Sequence, residues 1–226
     1  MKKIIFALCF FLCALSVFSR GIREEANLLD ENARVSYALG MMMGEDLSLS
    51  GFEIDYHAFI EGMRTMMEGL ESRMDRGQAV EIVQSAFERI LERQAVEARI
   101  REAEFLMENA LRPGINVTES GLQFEVIEEG SGPRPLITDT VLVHYEATLT
   151  DGTLFDSSRL RGNPEEFPLA AVIPGFAEGL LLMNAGSIYR FFIPSNLAYG
   201  EHGAGNVIPP YATLIFTVEL FGIIED

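Results

Sequence analysis

The 226-residue sequence has no tryptophan, only two cysteines and almost no lysine. Both cysteines, Cys9 and Cys13, lie in an apolar N-terminal segment, so the rest of the chain has no thiol for a disulfide or a cysteine-based metal site. The only lysines are Lys2 and Lys3, and the formal net charge is −17. Because such a surface repels phosphate backbones and anionic lipid headgroups, the composition argues against nucleic acid binding and polybasic membrane docking.

Residue patterns for metal-dependent or hydrolytic chemistry are also missing from the sequence. The three histidines lack the spacing of metal ligands, and no serine lies in a nucleophile-elbow motif. The glycine-rich segment 200–205 does not open a helix as a phosphate-binding loop does. The pair Glu165 and Glu166 fits solvated surface charge. The sequence therefore predicts neither a metal site nor a cofactor.

Residues 1–19 are typical of a secretory signal peptide. Two lysines precede an apolar run from Ile4 to Val17, and small residues follow. The run is shorter than the roughly 20 residues that span a bilayer. Ser16, Ser19 and Gly21 each fit a cleavage site, of which Ser19 is favoured, and we expect export to the periplasm or cell envelope and no membrane span in the mature chain. A leucine precedes each cysteine, which disfavours a lipoprotein.

Residues 23–111 contain no proline and carry helical periodicity. Apolar residues recur at the spacing of one helix face between Val35 and Leu47 and again between Phe59 and Leu70. Asp55 is placed to cap the second of these helices. We therefore predict an all-helical N-terminal domain.

A third and much longer helix is predicted from Asp75 to Leu111, with Gln78 at the capping-box position. The segment Arg112-Pro113-Gly114 ends it. Because two short helices cannot cover a helix of this length, it is either an exposed strut or partly covered by a partner chain. Eight of the ten methionines lie in the helical region, where they fit either ordinary core filling or an adaptable apolar surface that dimerises or holds client proteins.

From Gly121 onward the pattern is that of β-strands. Apolar residues alternate with other residues from 141 to 149, and a tight turn follows at Asp151-Gly152. Further strand-like runs cover 122–127, 188–193 and 212–221, and one short helix fits 176–183. We therefore predict an α+β chain, in which one long helix links the helical domain to an antiparallel sheet covered by a short helix.

Aromatic residues are concentrated in the predicted β region. It holds 12 of the 22 aromatic residues, and several of them adjoin glycine or proline in predicted loops. Such residues either fill the core or line an apolar pocket with a few polar groups at its rim.

Five sequence blocks of this region resemble, in order, the signature sequences of FKBP-type peptidyl-prolyl cis-trans isomerases. They are VHYE at 143–146, DGTLFDSS at 151–158, VIPGFAEG at 172–179, LAYG at 197–200 and VIPPYATLIF at 207–216. The resemblance extends over essentially all of 121–226. Residues 28–115 resemble, less specifically, the helical dimerisation domain of the Mip, FkpA and FklB group of these isomerases.

The resemblance implies a strongly curved antiparallel sheet wrapped on a short helix, with an apolar pocket between them. After the predicted signal peptide at 1–19, it implies a helical dimerisation domain at 23–112 and an isomerase domain at 113–226. The residues implied for catalysis, by matching position, are Tyr145, Phe155, Asp156, Ile173, Phe176, Tyr199 and Phe216. Those implied for substrate binding are Arg161, Phe167, Val172, Val207 and Ile208.

Three of these positions have more specific implied roles. Asp156 would form a polar wall of the pocket and interact with Arg161. The Ile173 backbone N–H and the Tyr199 hydroxyl would donate hydrogen bonds to substrate carbonyls.

Two positions depart from the family pattern. Phe176 stands where the family usually has tryptophan, and Ala204 stands where some members carry a histidine or another large residue. Because phenylalanine keeps an apolar floor but has less area and no indole N–H, we expect a working pocket with altered ligand affinity.

The implied function is isomerisation of X-Pro bonds in proline-containing polypeptides, assisting the folding of exported proteins. The implied assembly is a homodimer formed through residues 23–111. Macrolide ligands of the family are candidate ligands, and no cofactor is needed. The alternative is a non-catalytic chaperone or adaptor that grips peptides in the pocket and on the methionine-rich helices.

Overall fold

The structure is a computed structural model that describes residues 28–224, so the predicted signal peptide lies outside the described residues. By its internal contacts the chain divides into two compact units, one ending at Ser72 and the other beginning at Arg73. The long helix therefore groups with the sheet rather than with the two shorter helices. The boundary predicted at residue 112 divides the chain by sequence motif, and it stays a prediction.

The first unit contains two helices, α1 (Glu31–Ser50) and α2 (Tyr56–Met67). The Asp55 side chain accepts hydrogen bonds from the backbone N–H groups of His57 and Ala58, which confirms the predicted N-cap. Neither helix has a buried residue in the single chain.

The second unit begins with the long helix α3 (Arg76–Ala110). The Asp75 side chain accepts from the Gln78 backbone N–H at 2.9 Å, and the Gln78 side chain accepts from the Asp75 backbone N–H at 3.0 Å, so the predicted capping box is confirmed. The 35 residues of the helix reach about 50 Å at 1.5 Å per residue. Among the described residues, no helix is both long enough and apolar enough to cross a membrane.

The rest of the unit is built around one antiparallel sheet of seven strands. They are β1 (Ile115–Val117), β2 (Gln123–Glu128), β3 (Thr140–Leu149), β4 (Leu154–Ser157), β5 (Glu165–Pro168), β6 (Ile188–Ile193) and β7 (Leu214–Ile224). The order across the sheet is β1-β2-β6-β7-β3-β4, and β5 also pairs with β3. β5 pairs with the first half of β3 and β4 with its second half. The short helix α4 (Ser158–Arg161) separates these two edge strands.

The core lies between the sheet and the helix α5 (Pro174–Leu182). The alternation predicted for β3 is confirmed, since Val141, Val143, Tyr145 and Ala147 are buried. α5 begins at Pro174, two residues before the predicted start, because proline fits the first turn of a helix, where its missing N–H has no helical partner.

Two glycines allow α5 to approach β6 closely. A Cβ atom on Gly175 would lie 2.3 Å from Ile193 Cγ2, and one on Gly179 would lie 2.7 Å from the Phe191 ring. Both distances are shorter than any ordinary carbon contact. The absence of a side chain at these two positions therefore sets the depth at which Phe176 enters the core.

Candidate active site

Six aromatic rings pack into one cluster, and each comes from a different element of the second unit. They are Tyr145 of β3, Phe155 of β4, Phe167 of β5, Phe176 of α5, Phe191 of β6 and Phe216 of β7. Their ring centroids are 4.9 to 6.5 Å apart between neighbouring members, in tilted or edge-to-face arrangements. We call this set the aromatic cluster.

Phe176 is the centre of the aromatic cluster. Its ring centroid lies 4.9 Å from that of Phe216, 5.9 Å from that of Phe167 and 6.2 Å from that of Tyr145. It is 4% exposed. Phe191, which sequence reasoning did not single out, lies 6.5 Å from Phe176 and is fully buried. Alternation within β6 was the one signal that could have placed Phe191 in the core.

Most of the predicted apolar site residues adjoin this cluster. Ile208 is buried in the same core, and Phe155, Phe167, Val172 and Ile173 are partly buried against it. The structure does not bring the other two into the core. Tyr199 is 41% exposed and Val207 is 52% exposed, and both lie in the connection between β6 and β7 that also carries Ile208.

A polar network borders the aromatic cluster. The Tyr145 hydroxyl donates to Asp156 Oδ2 at 2.5 Å and accepts from Arg161 Nη2 at 2.7 Å. Arg161 also donates from Nη1 to Asp156 Oδ1 and from Nε to Glu165 Oε1, each at 2.5 Å. The expected contact between Arg161 and Asp156 is thus present. The view of Glu165 as solvated charge was wrong, because its carboxylate pairs with Arg161. Arg161 and Glu165 are four residues apart, and this spacing was the signal in the sequence for the ion pair.

The network fixes the protonation states at the edge of the aromatic cluster. Burial, together with the hydrogen bond to Asp156, raises the pKa of Tyr145 above its ordinary value. Burial alone would raise the pKa of Asp156, but the Tyr145 hydroxyl and the Arg161 guanidinium outweigh it and lower that pKa. At neutral pH the edge therefore holds a neutral phenol, an ionised carboxylate and a guanidinium.

Tyr145 is also held through its backbone. Its N–H donates to Ser158 Oγ at 2.8 Å, and His144 Nδ1 lies 2.9 Å from the same hydroxyl. Ser158 is fully buried. Ser157 caps α4, where its hydroxyl accepts from the Leu160 backbone N–H. These two serines fix the chain where it leaves β4, and no pattern in the sequence indicated that use.

The peptide unit of Ile173 is held by the first turn of α5. Its carbonyl accepts from the N–H groups of Phe176 and Ala177 at 3.0 and 3.1 Å. The backbone of Ile173 is therefore fixed beside the central ring of the aromatic cluster.

Two family models and several known proteins are similar to this chain. A family model described as FKBP-type peptidyl-prolyl cis-trans isomerase matches residues 132–221, and one described as the domain amino terminal to it matches residues 32–126. The FKBP-type 22 kDa peptidyl-prolyl cis-trans isomerase of Escherichia coli strain K12 is 46% identical over 200 residues, which cover 85% of this chain and 95% of that protein. This chain belongs to the FKBP family.

Other FKBP relatives agree. A probable FkpA isomerase of Neisseria meningitidis is 41% identical over 200 residues, covering 84% of this chain and 74% of that protein. The crystal structure of Escherichia coli FkpA matches with a TM-score of 0.71 at 32% identity, covering 87% of this chain and 98% of that one. The resemblance, the α+β fold class and the assignment as an FKBP-type isomerase are confirmed. All members of the aromatic cluster lie in the part of the chain that matches the FKBP isomerase domain.

Proposed function

We propose that the aromatic cluster, bordered by Asp156 and Arg161, is the site at which this chain isomerises X-Pro bonds in proline-containing polypeptides, including exported proteins that are still folding. One observation carries the proposal. Rings from six separate elements converge beside a fixed carboxylate and guanidinium, as an enclosed site for an apolar proline ring requires.

The chemistry requires no bond to be broken. Rotation about an X-Pro bond is limited by amide resonance, with a barrier of about 18–20 kcal/mol. The uncatalysed change takes tens to hundreds of seconds. The twisted amide has lost resonance and charge separation, so apolar surroundings favour it relative to the planar, more polar ground state. Fixed hydrogen-bond donors that meet the carbonyls in the twisted geometry stabilise it further.

The hydrogen bonds of the site support a division of roles. The single proton of the Tyr145 hydroxyl is already donated to Asp156, so this hydroxyl shapes the pocket wall instead of binding substrate. The Tyr199 hydroxyl is on an exposed residue and is free to reach a substrate carbonyl from the mouth of the pocket. The Ile173 N–H, on the residue whose carbonyl is held by α5, is the second proposed donor.

A refolding assay limited by proline isomerisation tests this assignment. Tyr199→Phe removes the proposed donor, and Phe216→Ala opens the aromatic cluster; we expect both to lower kcat/KM in the full chain. Tyr189→Phe is the matched control, because the Tyr189 hydroxyl donates to Glu129, outside the site. If Tyr199→Phe and Phe216→Ala both refold the substrate as fast as Tyr189→Phe, the proposed site is wrong.

The exposed apolar surface of α1 supports a dimer through residues 23–111. Val35, Leu39 and Met42 are 53%, 55% and 66% exposed at helical spacing, and the helix has no buried side chain in the single chain. Because an apolar helix face without a partner is unstable in water, a second copy is the proposed cover. Sedimentation equilibrium should give about twice the chain mass, with Leu39→Glu shifting it to monomer; a monomeric wild-type chain at micromolar concentration would exclude the dimer.

The exposed methionines favour a second activity, the binding of unfolded clients by the helices. Met41, Met66 and Met67 are 62%, 68% and 81% exposed, and flexible thioether side chains adapt to varied apolar partners. A chain with an inactivated pocket should then still suppress aggregation of a proline-independent client.

Export of the chain follows from the proposed signal peptide. Fractionation of cells that express the full chain tests the proposal, and recovery of the protein in the cytosol alone would contradict it.

A further inference from the structure

The C-terminal half of α3 carries a row of side chains that contact the isomerase domain. They recur every three or four residues on one face of the helix and are Arg99, Glu102, Phe105 and Asn109; Arg112 continues the spacing just beyond the end of the helix. Nearest the sheet, Asn109 donates to the Gln123 side chain at 2.8 Å, and both residues are buried. Farther along the helix, Glu102 and Arg99 contact the connection between β6 and β7.

Glu102 binds the start of this connection with both carboxylate oxygens. The Ser195 backbone N–H donates to Oε1 at 2.5 Å, and the Ser195 hydroxyl donates to Oε2 at 2.9 Å. Ser195 is 5% exposed. Hydrogen bonds to an ionised group are stronger than neutral ones, and a two-point contact also fixes orientation.

Arg99 binds the other end of the connection. Its Nη2 donates to the Tyr211 hydroxyl at 2.6 Å, and its guanidinium carbon lies 4.5 Å from the centre of the Tyr211 ring. Tyr211 has a φ of 57°, the only positive value at a non-glycine position among residues 28–224. A bulky residue in this region of backbone space is strained and persists only where its surroundings hold it.

Backbone hydrogen bonds join the two anchored ends. The Gly200 N–H donates to the Ser195 carbonyl at 2.9 Å, and the Tyr211 N–H donates to the Gly200 carbonyl at 2.9 Å. Ala204 and Ile208 exchange two further backbone hydrogen bonds between these points. Tyr199 and Ile208 therefore lie inside a closed loop whose two ends are each fixed to α3.

We propose that Glu102 and Arg99 are positioning residues of the isomerase site, which hold Tyr199 and Ile208 at the pocket mouth through Ser195 and Tyr211. The long helix is then part of the catalytic apparatus in addition to being a connection to the helical unit. The kinetic part of this inference rests on the proposed function; the placement of Tyr199 does not.

The test compares Glu102→Ala with Glu104→Ala in the full chain. Glu104 lies on the same helix and is exposed, so both changes remove one carboxylate at a helical position. Displacement of a binding group by about 1 Å can cost up to about a hundredfold in rate, so we expect Glu102→Ala to lower kcat/KM for a short proline peptide by about tenfold or more. Glu104→Ala should leave it unchanged. Glu102→Gln, which still accepts from the Ser195 N–H, should recover most of the loss.

A second readout reports on geometry without activity. The sequence has only six tyrosines, so ring signals of selectively labelled tyrosine can be assigned one by one. Glu102→Ala and Arg99→Ala, which leaves the Tyr211 hydroxyl free to donate to Glu201, should shift or broaden the Tyr199 signal and leave that of Tyr37 unchanged. An unshifted Tyr199 signal in both variants would overturn the inference, as would wild-type kcat/KM in Glu102→Ala. If the wild-type chain itself lacks isomerase activity, the proposed function fails and the Tyr199 signal alone decides whether α3 positions the loop.

Discussion

The substitution Gly179→Ala should lower activity at the proposed isomerase site by more than its loss of folded protein can explain. The added Cβ would lie 2.7 to 2.9 Å from three carbons of the Phe191 ring. Ordinary carbon contacts are about 3.5–4.0 Å, so α5 and β6 must separate by about 1 Å. Phe191 is fully buried and cannot turn away. The displacement therefore falls on α5 and carries Phe176, one turn earlier, away from Phe216.

Two opposing energies set the stability change. Overpacking of this kind costs about 1–3 kcal/mol. Replacing glycine by alanine within a helix stabilises it by about 1 kcal/mol. The net destabilisation should therefore be about 0–2 kcal/mol, whereas the rate should fall by about ten- to a hundredfold, because a shift of about 1 Å in a binding surface acts directly on the bound amide.

Urea unfolding and a proline-peptide assay on the same preparation separate the two effects. Gly62→Ala is the matched control, since nothing lies within 4 Å of the Cβ that it would add within α2. That variant should keep full activity and equal or exceed wild-type stability. If Gly179→Ala retains full activity, close packing of α5 on β6 does not set the pocket geometry.

Three other changes test the polar contacts. Tyr145→Phe removes the hydroxyl between Asp156 and Arg161 and should lower the free energy of unfolding by about 1–2 kcal/mol in urea titrations. This is less than the cost of losing a fully buried hydrogen bond to a charged group, because both partners are partly exposed. An unchanged urea midpoint would contradict the role given to the network. The folded-state pKa of Asp156 lies below its ordinary value of 3.8. Its contribution to stability is therefore present above about pH 4 and is lost as the pH falls through the lower folded-state pKa. Unfolding measured from pH 6 to pH 3 should show a smaller loss in Asp156→Asn than in wild type, and equal losses would refute the assignment. Asn109→Ala leaves the buried Gln123 oxygen without its donor and should cost about 1–3 kcal/mol in thermal or urea unfolding, whereas the exposed Asn116→Ala should cost little.

Local chemistry explains which elements could be predicted from the sequence. The N-caps of Asp55 and Asp75 act within one turn of the chain, so the residues that make them are visible in a short segment. β3 has one face in the core, and its alternation therefore shows both the strand and its buried side. The same signals cannot set the exact ends of an element. β7 begins two residues after the predicted start and extends to Ile224, because pairing with β3 continues beyond the alternating segment.

The remainder depends on contacts between segments distant in sequence. β4, α4 and β5 are short and lie along one edge of β3, so none is long enough to show a period. Ser158 is buried because the chain turns back under Tyr145, which no local pattern indicates. The family resemblance supplied the pocket residues, but it did not indicate the contacts of Arg99 and Glu102, since these depend on how α3 lies on the second unit.

The order of strands in the sheet means that the last strand in sequence completes both the sheet and the aromatic cluster. β7 lies between β6 and β3 in the sheet, although it follows both in sequence. β7 therefore joins two groups of strands, β1-β2-β6 on one side and β3 with β4 and β5 on the other. It also contributes Phe216 to the aromatic cluster. Because residues 214–224 come last among the strands of the chain, we expect a nascent chain that has not yet released them to have neither the joined sheet nor the complete aromatic cluster.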